Sequence, residues 1–212
     1  MSSRKTKAFT LAAGALLLLT GLAAAEGQDE GPTALAIGQP TPLADTKMKN
    51  VDGKELSIAQ VKGTKGTLVV FTCNHCPWAK AWHSRIVTLG NKSAKRGVGV
   101  IAVNANDPSA YPEDDFATMQ ANAKKSKMGF PYVVDATSDV ARAFGATRTP
   151  EAFLFDAEGN LVYHGAIDDN RDAAQVKTRY LEEAVNAVVE GKPIAQAETK
   201  ALGCGIKFRA KT

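Results

Sequence analysis

At the centre of the sequence stands the stretch Leu68-Val69-Val70-Phe71-Thr72-Cys73-Asn74-His75-Cys76-Pro77-Trp78. Its first part belongs to an apolar run, residues 67–72, without polar alternation, which is typical of a central strand covered on both faces. A proline is well tolerated in the first turn of a helix, so Pro77 is predicted to begin one that ends near residue 93. Cys73 and Cys76 therefore lie on a turn that joins a buried strand to a helix.

The rest of the chain alternates between strand and helix patterns. The predicted elements are a hairpin over 46–56, a strand over 98–103, a helix over 112–127, a strand over 131–134, a helix over 140–144, a hairpin over 152–164 and a helix over 172–190. Parallel strands need helical crossovers, and the closing hairpin adds antiparallel strands. The pattern predicts an α/β fold with a mixed sheet and helices on both faces.

The first 25 residues have the three parts of a secretory signal peptide. Arg4, Lys5 and Lys7 form a basic start, residues 8–22 are apolar, and Ala23-Ala24-Ala25 provides small residues for cleavage. An uncleaved anchor helix is the alternative, but it would need about 20 apolar residues. We expect cleavage after Ala25 and a periplasmic or secreted protein with no stable membrane insertion.

Four segments follow from this pattern. They are a signal peptide over 1–25, a flexible N-terminal arm over 26–44, one domain over 45–192 and an irregular C-terminal tail over 193–212. Loss of the three basic residues of the leader lowers the formal net charge from +4 to +1. Such a near-neutral protein lacks the basic surface that nucleic-acid binding requires.

Two motifs together resemble the thioredoxin superfamily over residues 45–190. One is the C-x-x-C stretch 71–77 after the buried strand, and the other is Thr147-Arg148-Thr149-Pro150 at the entry to a hairpin. The helix between 104 and 130 resembles the insertion of exported thioredoxin-like proteins and of peroxiredoxin-related (AhpC/TSA-like) proteins. The resemblance implies a thioredoxin-like three-layer α/β/α fold, with this helix inserted between the second and third core strands.

The resemblance also implies a site. Pro150 would follow a cis peptide bond and face the dithiol, and the Thr149 backbone would pair with bound substrate. Pro77 and Trp78, next to the motif, are predicted to contact the substrate as well. The expected partners are protein or small-molecule thiols and disulfides, and no cofactor is implied.

The residue types suit thiol-disulfide exchange, in which a thiolate attacks a disulfide sulfur. Cys73 is expected to attack, because the N-terminus of the following helix stabilises a thiolate, and Cys76 is expected to resolve the mixed disulfide. His75 between them would lower the pKa of Cys73 further and raise the reduction potential above that of thioredoxin, about −270 mV. Glu151 is a weaker candidate for approaching the dithiol.

Cys204 is the third cysteine, flanked by Gly203 and Gly205. It could be a third redox thiol, an intermolecular link or a quiet buried residue. The last reading is slightly favoured, because nothing in the sequence brings Cys204 toward Cys73.

Two other functions remain open. A peroxiredoxin-like thiol peroxidase would need P-x-x-x-T-x-x-C, but the residue three before Cys76 is Cys73, and the residue three before Cys73 is Val70. A copper-binding chaperone would combine the cysteines with a distant histidine, for which His164 is the candidate and His83 lies one helix away. Its cysteines would, however, be separated by three residues rather than two.

Overall fold

The protein folds around one mixed sheet. The computed structural model describes residues 32–210 of the chain. In chain order the elements are β1 (Met48–Asn50), β2 (Glu55–Leu56), β3 (Gly66–Phe71), α1 (Pro77–Ala94), β4 (Val98–Asn104), α2 (Phe116–Ser126), β5 (Tyr132–Val134), α3 (Asp139–Phe144), β6 (Arg148–Thr149), β7 (Glu151–Asp156), β8 (Leu161–Gly165), α4 (Tyr180–Glu190) and β9 (Cys204–Gly205).

Seven strands form the sheet in the order β2-β1-β5-β4-β3-β7-β8. Strands β5, β4 and β3 are parallel, and helical connections join them, as parallel pairing requires. Strands β1, β2, β7 and β8 pair antiparallel. A separate two-stranded ladder joins β6 to β9. The predicted mixed sheet, the early hairpin and the closing hairpin are confirmed.

The core lies on both faces of β3. Leu68 and Val70 face one apolar cluster, which α1, α2 and α4 cover. Val69 and Phe71 face the other, which α3 covers. Because successive strand residues point to opposite faces, a strand without polar residues must be buried on both sides. The three-layer α/β/α arrangement is confirmed. The C-x-x-C turn lies at the carboxyl end of β3, an interior strand of the sheet.

The helix predicted over 112–127 divides into two parts. Residues 112–114 form a 3₁₀ turn, and α2 begins only at Phe116. The division occurs at Asp115, whose side chain accepts a hydrogen bond from the Thr118 N–H at 2.7 Å and caps α2. Asp114 is therefore free of the helix, and its carboxylate turns toward the cysteines.

The last helix was predicted too long. It begins at Tyr180 rather than near Asp172, because the Asp169 carboxylate accepts the backbone N–H groups of Lys177 and Thr178, both at 3.0 Å. Gly191 ends α4 in a left-handed conformation, with φ 65°, which glycine adopts readily.

Both ends of the chain that flank the domain are attached to it. In the predicted arm, Gly38 N–H donates to the Leu161 carbonyl at 2.8 Å, and Leu161 N–H donates to the Gln39 carbonyl at 2.8 Å. In the tail, predicted to be irregular, β9 pairs with β6. Neither attachment follows from sequence patterning, since each depends on pairing between distant segments.

The predicted signal peptide lies outside the described residues. Within residues 32–210 no helix is long and apolar enough to cross a membrane.

Candidate active site

The two cysteines of the motif lie between β3 and α1 and are almost completely buried. Cys73 has a relative exposure of 5% and Cys76 of 0%. Cys76 immediately precedes α1, and its carbonyl accepts the Lys80 N–H at 2.9 Å. Cys73 therefore stands four residues before the first residue of the helix rather than in its first turn.

Cys76 forms a disulfide with Cys204, and Cys73 is a free thiol. The sequence predicted a Cys73–Cys76 pair and slightly favoured a quiet Cys204, so the structure corrects both expectations in this oxidation state. The physical reason is the ladder between β6 and β9, in which Cys204 lies opposite Thr149. That ladder brings the Cys204 Cα to 6.1 Å from the Cys76 Cα, within disulfide range.

Gly203 is the sequence signal that could have indicated this approach. A Cβ atom at this position would lie 2.2 Å from the Thr149 carbonyl oxygen, closer than real Cβ atoms come. Only glycine allows the tail to approach the strand this closely. Gly205 has no comparable constraint, because a Cβ there would meet nothing closer than the Thr147 carbonyl at 3.9 Å.

Thr149 contacts both cysteines of the motif. Its Oγ1 lies 3.1 Å from Cys73 Sγ, and its carbonyl oxygen lies 3.4 Å from Cys76 Sγ. The bond to Pro150 is cis, as the resemblance implied. The resemblance implied that the Thr149 backbone pairs with bound substrate. In this state Thr149, in β6, pairs with Cys204 in β9 instead.

His75 is held by Asp114, a residue that the sequence analysis missed. His75 Nδ1 lies 2.5 Å from Asp114 Oδ2, and the ring stacks on Tyr111 with centroids 3.9 Å apart. A carboxylate only accepts hydrogen bonds, so Nδ1 carries the proton. Asp114 is the middle one of three consecutive acids, Glu113-Asp114-Asp115, and only the break before α2 turns its carboxylate toward the site.

Asp114 also organises the backbone between the cysteines. It is 3% exposed. Its Oδ1 accepts the N–H of Asn74 at 2.6 Å and that of His75 at 3.3 Å, and its Oδ2 accepts Asn106 Nδ2 at 2.8 Å. A buried carboxylate needs such partners, because an unpaired buried charge is very costly. The inserted segment thus fixes the shape of the C-x-x-C turn.

The pKa of the Cys73 thiol is raised to about 11. Burial is the main cause, and the negative charge of Asp114 adds to it, whereas the hydrogen bond from Thr149 and the N–H groups of Cys76 and His75 act in the opposite direction. The sequence predicted a lowered pKa for Cys73. That prediction is wrong for this state, because the thiol is buried beside an acid.

An open cavity of about 340 Å³ lies beside Cys73. Its rim is cationic because Lys80 and Lys125 are exposed there. One of its lining residues, Asn74, has a buried amide nitrogen, Nδ2, without a hydrogen-bond partner. Burial lowers the pKa of His83, which leaves this side chain neutral near pH 7. The lining residues are Cys73, Asn74, Lys80, His83, Asn122, Lys125 and Ser126.

The other predicted contact residues lie on the first turn of α1. Pro77 is exposed, and Trp78 is half-buried with its ring stacked on Trp82 at 5.6 Å. Trp78 also packs against the sulfur cluster of Cys73, Cys76 and Cys204.

Glu151 and His164 bind each other rather than the cysteines. His164 Nε2 lies 2.7 Å from Glu151 Oε1, and Glu151 Oε2 accepts the N–H groups of Thr147 and Arg148. The group of potential metal ligands in the described chain is instead Cys73, His75 and Asp114, whose ligand atoms lie within 4.8 Å of one another. The arrangement expected of a copper chaperone, with His164 as the distant ligand, is not the one present.

Comparisons with known proteins agree with this architecture. A sequence model of the AhpC/TSA family matches residues 37–164. A hypothetical protein from Sinorhizobium meliloti is 34% identical, with a TM-score of 0.77 over 84% of this chain and 98% of its own. A thioredoxin-like protein solved in its oxidised form is 22% identical, with a TM-score of 0.61 over 74% of this chain and 99% of its own, which shows a shared fold.

A curated relative carries a name that states an activity. The thiol-disulfide oxidoreductase ResA of Halalkalibacterium halodurans is 26% identical over 115 residues, which are 54% of this chain. The match spans 61% of the length of that relative.

Proposed function

The chain belongs to the AhpC/TSA family, and on this premise we propose that it is a thiol-disulfide oxidoreductase that uses Cys73 as its attacking thiol. The observation that carries the proposal is a free Cys73 at the wall of an open cavity, in one sulfur cluster with the Cys76–Cys204 disulfide. The activity in the name of the related ResA protein supports the same reaction class. Its substrates would be disulfides of proteins or small molecules.

In the proposed reaction, Cys73 first loses its proton. We assign the acceptor role to His75, because a ring nitrogen of His75, the Cys73 sulfur and a carboxylate oxygen of Asp114 lie within 4.8 Å of one another. The hydrogen bond from Thr149 and two backbone N–H groups then stabilise the thiolate. Here Asp114 is a positioning residue, which acts through His75 and through the turn.

The thiolate then attacks a substrate disulfide. One substrate sulfur joins Cys73 in a mixed disulfide, and the other leaves as a thiolate and takes up a proton. The thiolate of Cys76 attacks Cys73 Sγ and releases the second substrate thiol. The substrate gains two electrons, and Cys73 and Cys76 lose them as their sulfurs bond.

Trapping of the mixed disulfide tests the proposal. A reduced Cys76→Ser variant, mixed with a peptide that contains one disulfide, should accumulate a covalent adduct on Cys73, identified by mass mapping. The matched control, Cys73→Ser/Cys76→Ser, should lack that adduct, and any adduct on its remaining thiol, Cys204, gives the background. No adduct on the single variant, or faster oxidation of the wild-type thiols by hydrogen peroxide than by the peptide, would reject the proposal.

Export is a second part of the proposal, and it rests on the sequence of the leader. We infer that the chain is exported with residues 1–25 as its signal peptide, so that disulfide chemistry takes place outside the cytosol. Expression of the full chain in a bacterial host should give a periplasmic or secreted protein whose N-terminus is Glu26. An intact leader on cytosolic protein would contradict this.

A further inference from the structure

We propose that Cys204 is a third redox cysteine, which takes the disulfide over from Cys73 and so returns Cys73 to its thiol state. This inference rests on the proposed function, in which Cys73 and Cys76 first form a disulfide. The structure shows the later state, with the Cys76–Cys204 bond formed and Cys73 free. The sulfur cluster holds all three cysteines with Ala79 and Trp78.

The first argument is that the fold positions Cys204 without help from the disulfide. After Cys204, the Ile206 N–H donates to the Thr147 carbonyl at 2.9 Å, and the Lys207 N–H donates to Asn106 Oδ1 at 2.8 Å. Before it, the Thr199 N–H donates to the His164 carbonyl at 3.0 Å. These bonds hold the tail on both sides, so reduction leaves the Cys204 thiol beside Cys76.

The second argument is that Cys76 has two partners within reach. Cys73 is its neighbour in the C-x-x-C turn, and Cys204 lies opposite Thr149 in the β6–β9 ladder. Thr149 contacts the sulfurs of Cys73 and Cys76 through Oγ1 and through its carbonyl. A sulfur with a neighbour on each side can exchange one disulfide for the other.

The third argument is exposure. Cys73 and Cys76 are buried, whereas Cys204 is partly exposed. A disulfide stored between Cys73 and Cys76 would offer a second protein only the Cys73 sulfur at the cavity wall. Transfer to Cys204 brings one of its sulfurs to the surface, where an external dithiol can attack it.

The proposed step is an isomerisation without net redox change. The Cys204 thiolate attacks Cys76 Sγ, the Cys76–Cys204 bond forms and the Cys73–Cys76 bond breaks. Cys73 leaves as a thiolate and takes the proton that Cys204 gave up. The hydrogen bond from Thr149 and two backbone N–H groups stabilise the departing Cys73 thiolate until it takes up that proton.

Regeneration needs a reductant of the dithiol class. One of its thiolates attacks Cys204 Sγ, and Cys76 leaves as a thiolate. The second thiol of the reductant then attacks the reductant's other sulfur, which is bonded to Cys204, and releases Cys204 as a thiol. Two electrons enter the protein, and the reductant leaves as a disulfide.

A single-turnover experiment tests the relay. Reduced wild-type protein is mixed with one equivalent of the disulfide peptide, quenched in acid, alkylated and mapped by mass spectrometry. The Cys73–Cys76 disulfide should appear first and decay as Cys76–Cys204 forms. The alternative result, a persistent Cys73–Cys76 disulfide with alkylated Cys204, would overturn the relay.

Variants separate a relay from a structural disulfide. Cys204→Ser and Cys204→Ala should stop at Cys73–Cys76, and their turnover with limiting dithiothreitol should fall by about tenfold. Gly203→Ala should slow Cys76–Cys204 formation by displacing β9, whereas Gly205→Ala should not. An intact Cys76–Cys204 bond throughout wild-type turnover would also overturn the relay.

The two proposals fail differently. If the Cys76→Ser variant traps no substrate on Cys73, the proposed function fails and the relay fails with it. If the variant traps substrate but the wild-type protein never forms Cys76–Cys204 during turnover, only the relay fails.

Discussion

The imidazole of His75 is fixed by the carboxylate of Asp114, with Nδ1 and Oδ2 2.5 Å apart. His75 follows β3 and Asp114 follows β4, so the two residues come from beyond the carboxyl ends of neighbouring parallel strands. Their contact ties the inserted segment to the C-x-x-C turn, and it places a negative charge near the sulfur of Cys73. From this charge we derive a prediction about the pKa of the Cys73 thiol.

Replacement of Asp114 should make Cys73 more acidic. Asp114→Asn removes the charge that helps to raise the pKa of Cys73, so iodoacetamide alkylation at pH 8 should become about three- to tenfold faster. It should also lower the free energy of unfolding by about 1–3 kcal/mol, since buried N–H groups lose their acceptor. Asp115→Asn, which changes the exposed cap of α2, is the control and should leave the alkylation rate unchanged.

Loss of the Thr149 hydroxyl should have the opposite effect. Thr149→Val removes the hydrogen bond that lowers the pKa of Cys73, so alkylation at pH 8 should become about threefold slower. Thr147→Val, at an exposed position two residues earlier, serves as the control. An unchanged pH profile in Thr149→Val would mean that the hydroxyl does not stabilise the thiolate.

The raised pKa of Cys73 should make the oxidised protein less stable in alkali. Between about pH 9 and about pH 11 the unfolded thiol has lost its proton and the folded thiol still holds it. Because the native state then binds more protons, the free energy of unfolding falls as pH rises, by up to about 1.4 kcal/mol per pH unit. Below pH 9 both states keep the proton and the contribution is constant.

Comparison with Cys73→Ser isolates this effect from other groups that titrate in alkali. Urea unfolding of both proteins at pH 8 and pH 10.5 should show a larger stability loss for the wild type. Equal losses in the two proteins would contradict the raised pKa.

The cationic rim of the cavity beside Cys73 should favour acidic disulfide substrates. We expect kcat/KM for a disulfide peptide with flanking glutamates to exceed that for the glutamine version, and the difference to shrink in high salt. Lys80→Glu/Lys125→Glu should lower kcat/KM for the acidic peptide by about three- to tenfold. Lys54→Glu, in the β1–β2 hairpin, is the control, and an equal loss there would exclude a local effect.

Sequence patterning could predict the elements whose signals are local. The unbroken apolar run of β3 and the proline at the start of α1 each act over a few residues, and both predictions were confirmed. The cis bond before Pro150 followed from a family resemblance rather than from the residues alone.

The parts of the site that could not be predicted depend on contacts between distant segments. A two-residue strand such as β9 has no periodicity to detect, and its partner β6 lies more than 50 residues earlier. In the sequence nothing separates Asp114 from the neighbouring acids Glu113 and Asp115. Only the break between the 3₁₀ turn and α2 places its carboxylate at the site. The Cys73 pKa depended on burial, which no residue beside the motif reveals.

The Cys76–Cys204 disulfide closes a covalent ring that contains most of the domain, with a sequence separation of 128 between the two cysteines. In an unfolded chain, closing that ring rather than the three-position ring of Cys73 and Cys76 costs about 3 kcal/mol more in chain entropy. An unfolded chain would therefore form mainly the Cys73–Cys76 disulfide, and only the folded protein favours the Cys76–Cys204 disulfide. The two rings also migrate differently on a non-reducing denaturing gel, so the position of a band records whether the chain was folded when it was oxidised.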